Sequence, residues 1–235
     1  MVYYNRNGEI VNYNCEKVKF NNGTQGGIYR LVDDDSICLK SYVNDDVTKG
    51  IFDDQGKRFT QEMFDYFKED FNHPSFCKLY NLMYDKKISM VVAYTMKYYR
   101  ESLENILFLP TSYLLDNFSL IYDAITQLVK DSIRVVDLSS SNIINTDNGM
   151  VVIDNDKYYI DNESDKETLS YINKSALMYA FKGIFKDALK RHGVEIDNNL
   201  EFKKMIDSLF TINTSPLVLK CKLRSYSRPI DFFYR

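Results

Sequence analysis

The chain has 235 residues, enough for one domain or for two small lobes sharing a cleft, and 45% of them are hydrophobic, with 19 Tyr and 15 Phe to build an aromatic core. A net charge of −3 supplies no basic field for a polyanion, so nucleic acid is not an expected partner. No apolar run reaches the roughly 20 residues of a membrane helix, the start lacks an export-signal core, and four scattered cysteines without C-x-x-C spacing read as reduced thiols, together implying a cytoplasmic protein that avoids the membrane.

The first hundred residues alternate short β-like runs with turns. Lys17 to Phe20 leads into Asn21-Asn22-Gly23-Thr24-Gln25-Gly26-Gly27. Ile28 to Val32 and Ser36 to Tyr42 then read as strands around the turn Asp33-Asp34-Asp35. Beyond a polar stretch from Asn44 to Gly56, the recurrence of Phe59, Met63, Phe67 and Phe71 every four residues predicts a helix over Arg58 to Phe71. His73-Pro74 ends it, because proline disfavours helix at the preceding residue. Strands are expected again over Cys77 to Tyr84 and Ile88 to Tyr94.

After Tyr99 the period turns helical. A short helix is expected over Ser102 to Leu109 and a stronger one over Ser112 to Asp131, with Leu115, Phe118, Ile121, Tyr122, Ile125 and Leu128 on one face. Further helices are expected over Lys166 to His192 and Asn198 to Leu209, leaving a basic, aromatic tail from Leu217 to Arg235. A β-rich first part and a helical second part make an α+β protein with two lobes.

Two stretches carry chemistry. Asp137-Leu138-Ser139-Ser140-Ser141-Asn142 is followed by two apolar runs joined by a turn, Thr146 to Gly149, and ends in Asp154. Two carboxylates and an amide on one strand pair suit a hard cation that bridges phosphates, although Asp and Asn also cap ordinary turns. Earlier, Gly23, Gly26 and Gly27 sit between two strands and precede Ile28 and Lys40. Such glycines let a backbone lie close to phosphates, though a plain hairpin would use them too.

Taken together, these stretches resemble the protein-kinase superfamily, whose catalytic loop D-L-x-x-x-N precedes a strand pair ending in D-F-G. The resemblance implies a two-lobed fold: a small antiparallel sheet lobe with one helix over residues 1–94, a hinge over 95–99, and a larger helical lobe over 100–235. By the same resemblance Asp137 is the catalytic base, Asn142 and Asp154 hold Mg²⁺, and Lys40 grips the ATP phosphates, oriented by Glu62, with Asp65 as the alternative. Gly23, Gly26, Gly27 and Ile28 would cover the nucleotide, and backbone groups at Ala93 and Thr95 would meet its base. His73 falls in a junction similar to H-P-N-I-V-K-L and reads as structural, and Asp156 reads as a further metal ligand or a turn acid.

Departures from the family shape the function. Val135-Val136 replaces His-Arg, Ser139 replaces the catalytic-loop lysine, Asn155-Asp156 replaces Phe-Gly, and no A-P-E follows. The resemblance implies an ATP- and Mg²⁺-dependent transfer of the γ-phosphoryl group to a hydroxyl, in the first reading on protein Ser or Thr. A small-molecule kinase and a nucleotide-binding pseudokinase are the alternatives. Retention of Lys40, Asp137, Asn142 and Asp154 argues against the last.

Overall fold

Alternating apolar and polar residues in the first part of the chain resolve into a seven-stranded antiparallel sheet. The structure is a computed structural model and describes residues 1–18, 27–42, 59–85, 91–100, 111–191 and 200–225. It divides into two compact units, Met1–Arg100 with Asp154–Tyr159, and Glu101–Ile153 with Ile160–Arg235. The expected helix over 102–109 lies outside the described residues, as do the polar stretch 44–56, Gly23 and Gly26.

In the first unit the strands are β1 (Val2–Tyr4), β2 (Ile10–Asn12), β3 (Cys15–Lys17), β4 (Gly27–Leu31), β5 (Ile37–Ser41), β6 (Leu79–Tyr84) and β7 (Val91–Lys97). Their order across the sheet is β2-β1-β6-β7-β5-β4-β3. The β1–β2 hairpin was not an expectation of the sequence. Its turn is fixed by Asn5, whose Oδ1 accepts from the N–H groups of Asn7 and Glu9 at 2.9 and 3.0 Å, while Gly8 takes the left-handed φ of 77° that closes it. Strand β7 runs three residues past Tyr94, to Lys97.

The expected helix at 58–71 is found in altered form. Thr60 caps a short α-helix, Gln61–Asp65, its Oγ1 accepting from Met63 N at 3.2 Å. The next turn, Tyr66–Asp70, is a π-turn, closed by Phe71 N donating to Tyr66 O at 2.8 Å. Widening the turn keeps Phe67 and Phe71 buried together, and both rings meet Phe76 edge-on or stacked, with centroids 6.2 and 5.1 Å away. Tyr158 completes this cluster at 5.9 Å from Phe67.

The second unit is mainly helical, with helices Thr111–Lys130, Lys166–Arg191, Leu200–Leu209 and Pro216–Ser225. Phe118 and Phe181 meet edge-on at 5.0 Å in its core, and Phe210 closes on Phe118 and Phe185. Helix ends are satisfied by side chains. Lys166 donates to the carbonyls of Val129 and Lys130 at 2.9 and 2.8 Å, a cation on the negative end of the Thr111–Lys130 helix. Asp165 caps the next helix through Thr168 N at 2.7 Å. The segment read from sequence as a tail begins instead as the Pro216–Ser225 helix, with Leu219 and Leu223 buried. Among the described residues no helix is long and apolar enough to cross a membrane.

Between the short strand β8 (Ile133–Arg134) and the Lys166–Arg191 helix, Asp161 accepts from the N–H groups of Glu163 and Ser164 at 3.1 and 3.0 Å and faces Arg134 at 3.4 Å. Burial pushes its carboxyl up, but these bonds outweigh burial and hold it below the ordinary range. A depressed folded value adds stability above the unfolded value of about 3.9 and loses it as pH falls through the lower folded value. Asp161→Asn should therefore be less stable than wild type at neutral pH, with the gap closing in acid. Urea midpoints measured down the pH scale check this, and a gap that stays constant into strong acid contradicts it.

Candidate functional site

Sheet register places Lys40 in a row of directly opposed residues, Ile28–Lys40–Tyr94–Leu82, running across β4, β5, β7 and β6. Opposed residues share a face, and alternation sends their chain neighbours to the other side. Lys40 is thus a charged residue in an otherwise apolar, aromatic row, with its side chain only 7% exposed. Its ammonium lies 5.1 Å from the ring centroid of Tyr42.

Two carboxylates neutralise it. Lys40 Nζ donates to Asp154 Oδ1 and, at 2.8 Å, to Asp156 Oδ2. Asp156 is 3% exposed and Asp154 37%. Asp154 sits at a left-handed corner, φ 64° and ψ 41°, from which the 3-10 turn Asn155–Lys157 departs. A non-glycine residue held there marks a position whose surroundings fix it against a local cost of order 1 kcal/mol or more. Burial alone would push the Lys40 ammonium down; the charges of Asp156 and Asp154 outweigh that and hold it well above the ordinary lysine value.

The same register locates the other residues singled out in the sequence. Ala93 and Thr95 lie inside β7 with partners on both sides, Ala93 opposite Ser41 and Met83, and Thr95 opposite Leu39 and Asn81. Their backbone groups serve the ladders, and both residues fall on the face away from Lys40, where Ala93 joins the core of Tyr3, Leu31, Leu39 and Met83. Gly27, opposite Ser41, falls on that face too, whereas Ile28 stands beside Lys40. Nor does Glu62 meet Lys40. It is exposed, and among the described residues the ion pairs of Lys40 are those to Asp154 and Asp156. Asp65, the alternative, lies 3.9 Å from Arg6 and accepts from Gln61.

In the second unit, Asp137 and Asn142 share one loop. Val135 and Leu138 point into the core and leave Asp137 exposed between them at a left-handed φ of 61°. Asn142 Nδ2 donates back to Asp137 O at 2.7 Å, so the five-residue spacing is what closes the loop. Asn142 O accepts from Ile153 N at 2.8 Å, tying the loop to the end of the hairpin β9 (Ile143–Thr146) and β10 (Gly149–Val152), whose register matches the turn read from sequence.

Two supports of this loop escaped the sequence reading. Asn173, fully buried on the Lys166–Arg191 helix, accepts from Val135 N at 2.9 Å and donates to Ile133 O at 2.8 Å. Its signal was a lone amide on an otherwise apolar face, four residues from Leu169 and from Leu177. Gly183, nearly three turns on, lets the helix press against Ser140, since a Cβ there would lie 2.7 Å from Ser140 Oγ. The hairpin is docked similarly by Asn117, whose Oδ1 accepts from Met150 N at 2.6 Å.

Among the described residues no group of three or more His, Cys, Asp or Glu could hold a metal. A cation here would have to share its shell with phosphates and water, as Mg²⁺ commonly does. The residues fit such a load. Two carboxylates against one ammonium leave an excess negative charge at Asp154, the more exposed acid. Tyr42 Oη, Tyr94 Oη and, between the two acids in sequence, Asn155 Nδ2 are buried without a hydrogen-bond partner among the described residues, a condition rare in finished protein interiors.

No family model matches this sequence, and no curated protein matches it. Solved structures do match, 1556 chains in number, so the likeness is not to an isolated case. One is a crystal structure of Rad53 1-466 in complex with AMP-PNP, with a TM-score of 0.51 and 11% identity over 87% of this chain. At a coarse level the fold is kinase-like. The chain spans 62% of that Rad53 chain.

Replacing Asn173 by Ala would strand a buried N–H and a buried carbonyl, and should cost about 2–3 kcal/mol in urea unfolding. Gly183→Ala offers a sharper check. In an unobstructed helix the change would stabilise by roughly 0.5–1 kcal/mol. Here contact with Ser140 should reverse the sign, and Gly183→Ala combined with Ser140→Gly should restore the gain. A stabilised single variant would contradict the close packing.

Proposed function

We propose that this chain is an ATP- and Mg²⁺-dependent phosphotransferase that moves the γ-phosphoryl group to a hydroxyl. The observation that carries the reading is the convergence on Lys40, in the middle of a sheet, of two acids more than a hundred residues away in sequence. A structural protein gains little from burying an ion pair, since an apolar trio of similar size would serve as well.

In this reading Lys40 neutralises the α- and β-phosphates, and Ile28, its neighbour on the sheet, packs over the nucleotide. Mg²⁺, held by Asn142 and Asp154, would neutralise charge on the phosphates during transfer. Asp137 accepts the proton of the attacking hydroxyl as its oxygen bonds to the γ-phosphorus and the bond to ADP breaks. Since β7 runs to Lys97 and Tyr98 N already donates to Ser36 O at 2.7 Å, the backbone that reads the base belongs at Tyr99–Arg100, beyond the strand. Ser139, in place of a lysine, leaves one positive charge fewer for the transferred group.

The acceptor is a hydroxyl on protein Ser or Thr in the reading drawn from sequence. A specific observation favours a small molecule instead. Residues 154–165 are spent on the 3-10 turn, the Tyr159–Ile160 strand, the Asp161 hydrogen bonds and the Asp165 cap, which leaves little chain for docking a peptide. Labelled ATP with a generic protein substrate, and in parallel with small polyols and amino alcohols, separates the two.

ATP with Mg²⁺ should raise the unfolding midpoint by several degrees, the size expected when ligand is at about 100 times its Kd. Asp137→Ala should keep that shift and lose transfer by at least about 10²-fold, the usual worth of a proton acceptor. No shift from ATP, with or without Mg²⁺, would refute nucleotide binding. Full transfer by Asp137→Ala would refute the base assignment.

A further inference from the structure

We infer that Asp156 is the positioning residue for Lys40, the task that the sequence reading gave to Glu62. The inference rests on the phosphotransfer reading for its purpose, but its geometry stands within the first unit alone. The two acids on Lys40 are unlike. Asp154 is 37% exposed at a left-handed corner, so its carboxylate has solvent to turn into. Asp156 is 3% exposed and lies inside the 3-10 turn Asn155–Lys157, whose C-cap Tyr158, two residues on, is locked among Phe67 and Phe76.

The difference divides the work. A cation that draws Asp154 away would strip Lys40 of one partner, and a buried ammonium left with none is strongly disfavoured. Asp156, at 2.8 Å and unable to swing out, keeps a counter-charge in place so that Nζ holds its position. Glu62, exposed on its helix, makes no ion pair with Lys40 among the described residues. The Asn155-Asp156 pair that replaces Phe-Gly is then a relocation of the lysine's anchor from the helix to the metal loop.

The test is a double-mutant cycle on Asp156→Asn and Lys40→Met, with Glu62→Gln beside it. Binding of Mg²⁺·AMP-PNP is read by calorimetry and unfolding by urea. Asp156→Asn should weaken binding by about tenfold or more, the scale for truncating one partner of a buried charge pair. That loss should exceed the loss from Glu62→Gln, and it should vanish when Lys40 is already Met. Equal losses in both backgrounds, or a larger loss from Glu62→Gln, would overturn the inference.

If wild type binds no nucleotide, the phosphotransfer reading fails, and the unfolding cycle still decides the pairing. Non-additive midpoints support it and additive midpoints overturn it. Should Asp156→Asn not fold, the double variant decides. Recovery of folding on removing Lys40 as well shows that the stranded ammonium was the fault, and continued failure shows that Asp156 serves the fold without Lys40.

Discussion

A buried positive charge constrains this structure more than any other feature. Lys40 occupies the centre of a sheet whose same-face neighbours are apolar or aromatic, and a lone ammonium there is not tolerated. The remedy is long-range, since Asp154 and Asp156 come from far along the chain. The short stretch Asp154–Tyr159 accordingly belongs to the first unit although the residues on either side of it belong to the second. Its aromatic end, Tyr158 among Phe67 and Phe76, and its charged end on Lys40 hold it there together.

Helices and the hairpin were legible because their signals are local and repeated. Leu115 to Leu128 mark one face over several turns, and the apolar runs around Thr146–Gly149 permit a single register. The α+β class followed from that. What was not legible has no local period. Phe59, Met63, Phe67 and Phe71 read as a plain α-helix, because a π-turn differs from it by one residue in a spacing that these four apolar side chains can satisfy either way. Strand β7 was read short at Tyr94 and runs to Lys97, because nothing in Thr95-Met96-Lys97 marks a strand end.

Site residues divide along the same line. The Asp137–Asn142 spacing was readable because it closes a loop on itself by a hydrogen bond. Lys40 was readable as a lysine on a strand, but not its partner, since nothing near Asp156 in sequence distinguishes a buried acid from an exposed one. Asn173 went unremarked for the opposite reason. It looks like a flaw in an amphipathic helix until the backbone groups it serves are seen.

Asn173 has a consequence for how the loop responds to its surroundings. The side chain that anchors it is neutral and makes one bond of each polarity, to an N–H and to a carbonyl. Neither protonation nor added salt alters such a clamp, whereas a carboxylate in its place could satisfy only the N–H and would repel the carbonyl. The Asn173 clamp beneath Asp137 is therefore itself silent to acidity and ionic strength, and the response of this scaffold to those variables passes through neighbouring charged pairs such as Asp161 with Arg134.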